Sequence, residues 1–222
     1  MTEKKHNYLN WDRIKIEDFS DENIEEEYAN GYVFTRIDKG TMDQTRSLRI
    51  DLSEFELNSE NKRILRKTEK INIKKEPLPY TNYHWKIHKL GKEFYDKFEE
   101  GIFSANKIKE LMTNENKSNF NIVFVYSKND KNLGYCISLE TENIIHYSYP
   151  FYKRDESPNN MGMGMMVKAI KYAKEKGKKY CYLGSAQRSG DTYKLQFGGL
   201  EWFDKNKWSK DLKKIKEILK NE

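Results

Sequence analysis

Cysteine is nearly missing from this chain: Cys136 and Cys181 are the two it has, far apart in apolar stretches that read as buried strands. A disulfide framework and a cysteine-rich zinc or iron–sulfur site are both excluded on that ground. Long apolar runs are missing too. The longest hold a handful of residues, against the roughly 20 needed to cross a bilayer, so no membrane span is expected. The first residues, Met1-Thr2-Glu3-Lys4-Lys5-His6, are polar with no apolar segment behind them, which argues against a secretory signal and for a cytoplasmic protein. Proline is scarce, with four in all, and two of them punctuate Lys75-Glu76-Pro77-Leu78-Pro79-Tyr80, the best candidate for a linker. No internal repeat, low-complexity block or Ser/His/Asp or Cys/His signature of covalent catalysis is visible.

What is present is a chain of 222 residues, enough to bury a real core as one large domain or two small ones. Its 14% of aromatic residues argues against wholesale disorder. The formal charge of +6 is unevenly spread. Residues 1–30 hold four basic against nine acidic residues, whereas residues 60–75 hold seven basic (Lys62, Arg63, Arg66, Lys67, Lys70, Lys74, Lys75) against Glu60 and Glu69. The tail from Lys205 to Glu222 has seven lysines and three acids. Clustered Lys and Arg gain counterion-release energy on phosphate, so a polyanion partner is one reading of the 60–75 segment and lysine as surface filler the other; surface filler explains the tail.

Residues 52–70 are helix-prone, with Asn58 or Ser59 as N-cap. A helix is expected over Tyr83–Glu100 with Gly101 as its stop, and a shorter one over Ser104–Met112. The second half reads as strands at 120–126, 133–139 and 144–149, with a polar loop opened by Pro150 and Pro158. Met165, Met166, Ala169, Ile170 and Ala173 then mark one face of a helix over 161–176, capped by Gly177. A strand at 180–184 and another over 196–203 follow. The chain closes on a helix with Trp208, Leu212, Ile215 and Leu219 on one face and Ser209 as N-cap. Antiparallel meander, crossover helix and parallel strand give an α+β order rather than a doubly wound one.

Asn159-Asn160-Met161-Gly162-Met163-Gly164 joins a strand to a helix, a context in which backbone N–H groups can approach an anion at a helix start. At this point residues 120–203 resemble the acyl-donor half of the GCN5-related N-acetyltransferase superfamily (GNAT). The resemblance implies a mixed central sheet flanked by helices, with Gly162 and Gly164 in the loop that holds the donor's pyrophosphate. Asn159 stands where the superfamily has Gln or Arg. Tyr193-Lys194-Leu195-Gln196-Phe197-Gly198-Gly199 is similar to its later tyrosine segment, which implies Tyr193 as general acid to the leaving group.

A narrower resemblance is to the arginyl- and leucyl-tRNA–protein transferases. Tyr147-Ser148-Tyr149-Pro150-Phe151-Tyr152, Met161 to Met166, Tyr182-Leu183-Gly184 and Lys194-Leu195-Gln196-Phe197 follow in that family's order. Residues 57–66 are similar to the basic segment that precedes its catalytic domain. The likeness implies transfer of an aminoacyl group from charged tRNA to an amine, with Tyr149, Gly162, Gly164, Lys194 and Gln196 at the donor and Lys62, Arg63, Arg66 and Lys67 on tRNA phosphates. Two departures are plain: residues 1–50 contain no cysteine cluster, and Tyr149 stands where an Asp is expected before Pro150. Without that carboxylate, arginyl specificity is not implied.

Either donor asks an amine to attack an ester or thioester while backbone N–H groups hold the oxyanion. His146, Asp155 and Asp191 are the candidate bases; a buried strand histidine and solvated loop carboxylates are the plainer readings. His84 and His88 lie i, i+4 with no third ligand, so no metal is expected. Trp85, Tyr83 and Tyr80 among Lys86 and Lys89 suit stacking of unpaired bases, although packing explains them as well. Trp202 and Phe203 read as core.

The expected organisation is therefore an acidic leader and basic helical segment over residues 1–79, then a GNAT-like acyltransferase domain over 80–222. No permanently bound cofactor is expected, with aminoacyl-tRNA as donor substrate, a protein or peptide amine as acceptor, no membrane, and a monomer. Acetyl-coenzyme A is the alternative donor, and a non-catalytic RNA-binding module the third reading.

Overall fold

The computed structural model describes residues 8–98 and 103–221. Two sheets organise it. A small antiparallel sheet, in the order β1-β3-β2, is built from β1 (Asp12–Lys15), β2 (Tyr32–Phe34) and β3 (Thr41–Gln44). The large sheet has eight strands in the order β11-β10-β4-β9-β8-β7-β6-β5. These are β4 (Ser47–Asp51), β5 (Asn72–Pro77), β6 (Ile122–Lys128), β7 (Lys131–Glu140), β8 (Ile144–Tyr152), β9 (Tyr180–Ser185), β10 (Leu200–Phe203) and β11 (Trp208–Ser209). Only β8 and β9 run parallel among the described residues. The fold is α+β, with a mixed sheet flanked by helices.

One face of the large sheet is covered by α2 (Ser59–Lys67), α5 (Met161–Glu175) and α6 (Leu212–Lys220), whose Ile64, Met165, Ile170, Ile215 and Leu219 join one buried cluster. The other face is covered by α1 (Asp21–Ala29), α3 (Trp85–Tyr95) and α4 (Ala105–Thr113), with Tyr28, Ile87, Phe94, Ile108 and Leu111 in a second. Along β6 the side chains alternate between the two: Ile122, Phe124 and Tyr126 enter the first cluster, Val123 and Val125 the second. A strand buried on both faces must be apolar throughout, which is why that run was conspicuous.

The helices begin where local chemistry predicts. Asn58 accepts from the Asn61 N–H, Ser104 from Lys107, and Ser20 from Asn23. Gly177, at φ +71°, ends α5 in the left-handed region that costs a glycine least.

Several expectations are corrected. The helix-prone stretch 52–70 narrows to α2, and Asn72–Pro77 pairs in register with β6. The Lys75–Tyr80 stretch is thus the end of an edge strand, with a cis bond between Leu78 and Pro79, and not a linker. Its charged residues suit an edge, where Lys and Pro deter further pairing. β4 and β5 both lie in the main sheet, so residues 47–77 are part of the body that a leader ending at 79 was expected to precede. Helix α3 is shorter than expected, and the stop at Gly101 lies outside the described residues. Pro150 lies inside β8 opposite Cys136 and opens no loop. Residues 189–196 form a 3-10 helix, so the strand there begins at Leu200. Trp208 sits in β11 and the last helix is capped by Asp211, not Ser209.

Candidate active site

Strands β8 and β9 are joined by the crossover helix α5 and pair over three residues only: Ile144 with Tyr180, Ile145 with Cys181, His146 with Tyr182. Beyond them the strands part. Gly184, at φ +74°, turns β9 aside in a conformation other residues rarely adopt. On β8 the pairing with β7 slips between Ile137–Tyr149 and Ser138–Tyr147, leaving Ser148 as a bulge. From Tyr147 to Tyr152, β8 therefore has no strand partner on its β9 side. A wedge opens in the middle of the sheet, edged by main-chain polar groups.

The bulge is held from one side by His146. Its Nε2 lies 2.9 Å from the Ser148 Oγ and its Nδ1 2.8 Å from the Tyr28 hydroxyl. Burial, with the Lys194 charge acting in the same direction, holds the imidazole pKa down at about 3. The ring is neutral at physiological pH and both nitrogens are engaged, so His146 positions the bulge and is a poor general base.

Tyr147 is buried, and its hydroxyl makes no hydrogen bond of ordinary geometry. Its polar neighbour is the Cys136 thiol, toward which the Ser148 and Tyr149 amides also turn. Burial pushes that thiol up to about 12, so Cys136 is not a nucleophile. Cys181 is buried and shifted up for the same reason. Tyr149 packs edge-on against Phe103 and Phe120, with the Arg36 guanidinium 6.0 Å above its ring. Burial raises its phenol to about 12, with Arg36 opposing.

The far wall of the wedge is the 3-10 helix at Ser189–Gln196. Lys194 donates from Nζ to the Ser185 carbonyl at 2.8 Å and lies 3.3 Å from Asp191. Burial lowers its pKa, but Tyr193, Asp191 and Tyr8 more than offset this, so the ammonium stays charged. Asp191 accepts from the Gln187 and Arg188 amides, which makes it a cap and not a free base. Gln196 donates to the Tyr193 carbonyl at 2.7 Å and reaches the Met163 sulfur of α5 at 3.9 Å. Tyr193 itself is 45% exposed and is among the groups that act electrostatically on Tyr147.

The N-terminal segment also contributes, and no sequence pattern marks it. Tyr8 places its hydroxyl 2.7 Å from the Ser185 Oγ, and Leu9 is tied down by Gln187 at 2.8 Å and Thr45 at 2.7 Å. Contacts spanning 177 positions leave no periodicity or spacing to read.

Gly162 and Gly164 lie in the first turn of α5, not in a loop before it. A Cβ on Gly164 would lie 2.5 Å from the Thr68 methyl, so this glycine lets α5 close on the end of α2. At Gly162 a Cβ would meet only the Tyr152 ring, at 3.4 Å. The N-cap Asn160 makes no side-chain cap bond and the first turn carries no acid, so the helix end keeps its positive potential for an anion. In α2, Lys62, Arg66 and Lys67 are exposed, whereas Arg63 is held by Glu60. Asp155 is exposed in the loop after β8, lining a groove with Trp85 and Phe94, apart from the wedge. Among the described residues, no cluster of His, Cys, Asp and Glu could hold a metal, and no helix is long and apolar enough to cross a membrane. His88 bonds Tyr83.

A family model described as the C terminus of arginine-tRNA-protein transferase matches residues 78–204. By sequence, no curated protein matches. Among solved structures, L-PGS from Bacillus licheniformis is similar with a TM-score of 0.51 at 14% identity, over 93% of this chain and 71% of that one. A C-terminal domain assigned to lysylphosphatidylglycerol synthetase from Agrobacterium fabrum gives 0.49 at 13% identity, over 68% of this chain. The present chain spans 49% of the length of that solved domain. A GCN5-related glucosamine N-acetyltransferase region of a fungal β-N-acetylglucosaminidase gives 0.47 at 12% identity, over 86% of this chain and 23% of that one.

Proposed function

The chain belongs to the arginine-tRNA-protein transferase C-terminal family, and from that premise we propose that it is an acyltransferase taking an aminoacyl group from charged tRNA to an amine, such as a protein N-terminus. The observation that carries the reading is the split between β8 and β9, with a bulge on one strand and Tyr193 and Lys194 on the other side. An ester carbonyl laid in the wedge meets main-chain donors suited to an oxyanion. The amine nitrogen attacks that carbon and the bond to the ribose oxygen breaks. The ammonium of the tetrahedral intermediate yields its proton to solvent, the departing oxygen takes its proton from the Tyr193 hydroxyl as the amide forms, and the phenolate regains a proton from solvent. A free α-amine has a pKa of roughly 8, so a substantial fraction is already deprotonated without a strong base. That suits a site whose histidine is neutral and whose Asp155 lies elsewhere. The half-buried Lys194 ammonium favours negative charge at the leaving end. Tyr149, in place of a carboxylate, offers a cationic aminoacyl group no counter-charge, and the cation Arg36 already stands over its ring, which favours an apolar or neutral group.

The test is to incubate the protein with charged tRNA and a peptide amine, with acetyl-coenzyme A in a parallel arm. Transfer from charged tRNA alone supports the reading. Transfer from acetyl-coenzyme A alone would replace it with ordinary acetylation, the use that the open α5 terminus favours second. Binding of charged and uncharged tRNA alike, without turnover, would leave an RNA-binding module.

Helix α2 is the proposed phosphate contact. Arg66→Ala with Lys67→Ala is expected to weaken tRNA binding and lower the salt slope by about two. Arg63 contributes less, being bound to Glu60. An unchanged slope removes α2 from the interface.

A further inference from the structure

An exposed ring forgoes the gain of burial, and rings exposed together among charges mark an interaction surface. Two such rings flank α3: Trp85, 58% exposed, at its start, and Phe98, 55% exposed, beyond its end. Between α3 and the loop after β8 runs a groove of about 370 Å³, in the range of small-ligand sites. Trp85, Lys89, Lys97, Tyr152 and Arg154 are among its walls. A cation stands near each exposed ring: the Lys89 Nζ lies 5.8 Å from the Trp85 centroid and the Arg154 Cζ 5.8 Å from that of Phe98. Five Lys or Arg side chains and three carboxylates line the groove. Glu93 is paired with Lys89, and Glu156 with Lys131 and Lys153, so the balance facing a ligand is positive.

Flat exposed rings interleaved with cations bind unpaired nucleotides: each base stacks on a ring while the phosphates follow the charges. The groove also leads to the wedge. Its wall residue Tyr152 packs on Phe94 at 5.0 Å and lies against Gly162 in the first turn of α5. We infer that this groove binds the unpaired 3′ nucleotides of an RNA and guides that end toward the split between β8 and β9. The inference rests on the tRNA-dependent reading above, and it names a surface that the basic helix α2 does not include. An acidic peptide would use the charges but would leave the two rings without a role.

The probes are a short RNA hairpin with an unpaired 3′ tail and the same hairpin with a blunt end, titrated against the full chain. The protein is expected to bind the tailed form about tenfold more tightly. Trp85→Ala with Phe98→Ala should reduce tailed binding to the blunt level and leave blunt binding unchanged. Trp85→Phe, which keeps a ring, should retain most of the preference, separating stacking from loss of fold. Arg154→Ala should lower the salt slope for the tailed form by about one. Equal binding of both hairpins, or a preference that survives the double substitution, overturns the groove and leaves the transferase reading intact. Displacement of the tail by polyglutamate, undiminished in the double variant, would assign the groove to acidic peptides instead. Failure to bind either hairpin overturns both readings.

Discussion

Tyr193→Phe is expected to slow transfer about 100-fold while charged-tRNA affinity stays unchanged. General acid help to a leaving oxygen contributes roughly 100- to 10,000-fold, and an alkoxide leaving group lies at the demanding end. The argument rests on how the residue is held. Its backbone is fixed: Gln196 bonds its carbonyl, Asp191 caps the 3-10 helix, and Lys194 ties the segment to Ser185. Its ring, by contrast, is 45% exposed. A rigid backbone under an open phenol is the arrangement of a group that meets substrate, and removing one oxygen from an exposed ring costs little stability. Single-turnover transfer, with binding measured separately, is the check. Full activity in the phenylalanine variant would make Tyr193 structural and return the leaving-group role to solvent.

Arg49→Met is expected to cost about 3 kcal/mol of stability, the cost of stranding one partner of a buried pair. Arg49, in β4, donates from Nε to Glu201 at 2.8 Å with both side chains nearly buried. Its guanidinium lies 4.0 Å from the Tyr180 ring and 3.9 Å from that of Trp208. Removing the cation leaves Glu201 desolvated and uncompensated, and both rings lose a cation–π partner. Adding Glu201→Leu should recover most of the loss, because the penalty comes from the stranded carboxylate. Urea denaturation of the two variants decides this. A single variant within about 0.5 kcal/mol of wild type would show that the pair contributes no net stability.

These two residues illustrate what could be seen in the sequence. Tyr193 could be singled out only through the resemblance of its segment to an acyltransferase one, and its role stays a proposal; β6, β7 and α5 were legible because strands buried on both faces and an amphipathic helix leave strong patterns. Arg49 was not. Ser47-Leu-Arg-Ile-Asp51 carries two charges in five residues and reads as surface, although Leu48 and Ile50 are fully buried. What permits the burial is Glu201, which lies 152 positions away. β5 was hidden by the opposite device: an edge strand is protected by charge, so its lysines read as a basic helix running into a linker. At the site, His146 stood out as a strand histidine, but its role depends on Tyr28, 118 positions earlier. The Tyr8–Ser185 contact has the same character.

The placement of β4 has a consequence for the order in which this chain can assemble. β4 lies between β9 and β10, pairing Ile50 with Cys181 on one side and with Leu200 on the other. A ribosome delivers Ser47–Asp51 early, yet both of its neighbours emerge more than a hundred residues later. Until then the strand has no edge to join, and the meander β6–β7–β8 can form without it. Pairings at such separation close slowly. They also mean that residues 78–204, cut out as a unit, would expose the facing edges of β9 and β10. The catalytic half is completed by the first quarter of the chain, whose β4 fills the gap between β9 and β10 and whose Tyr8 reaches Ser185 beside the wedge.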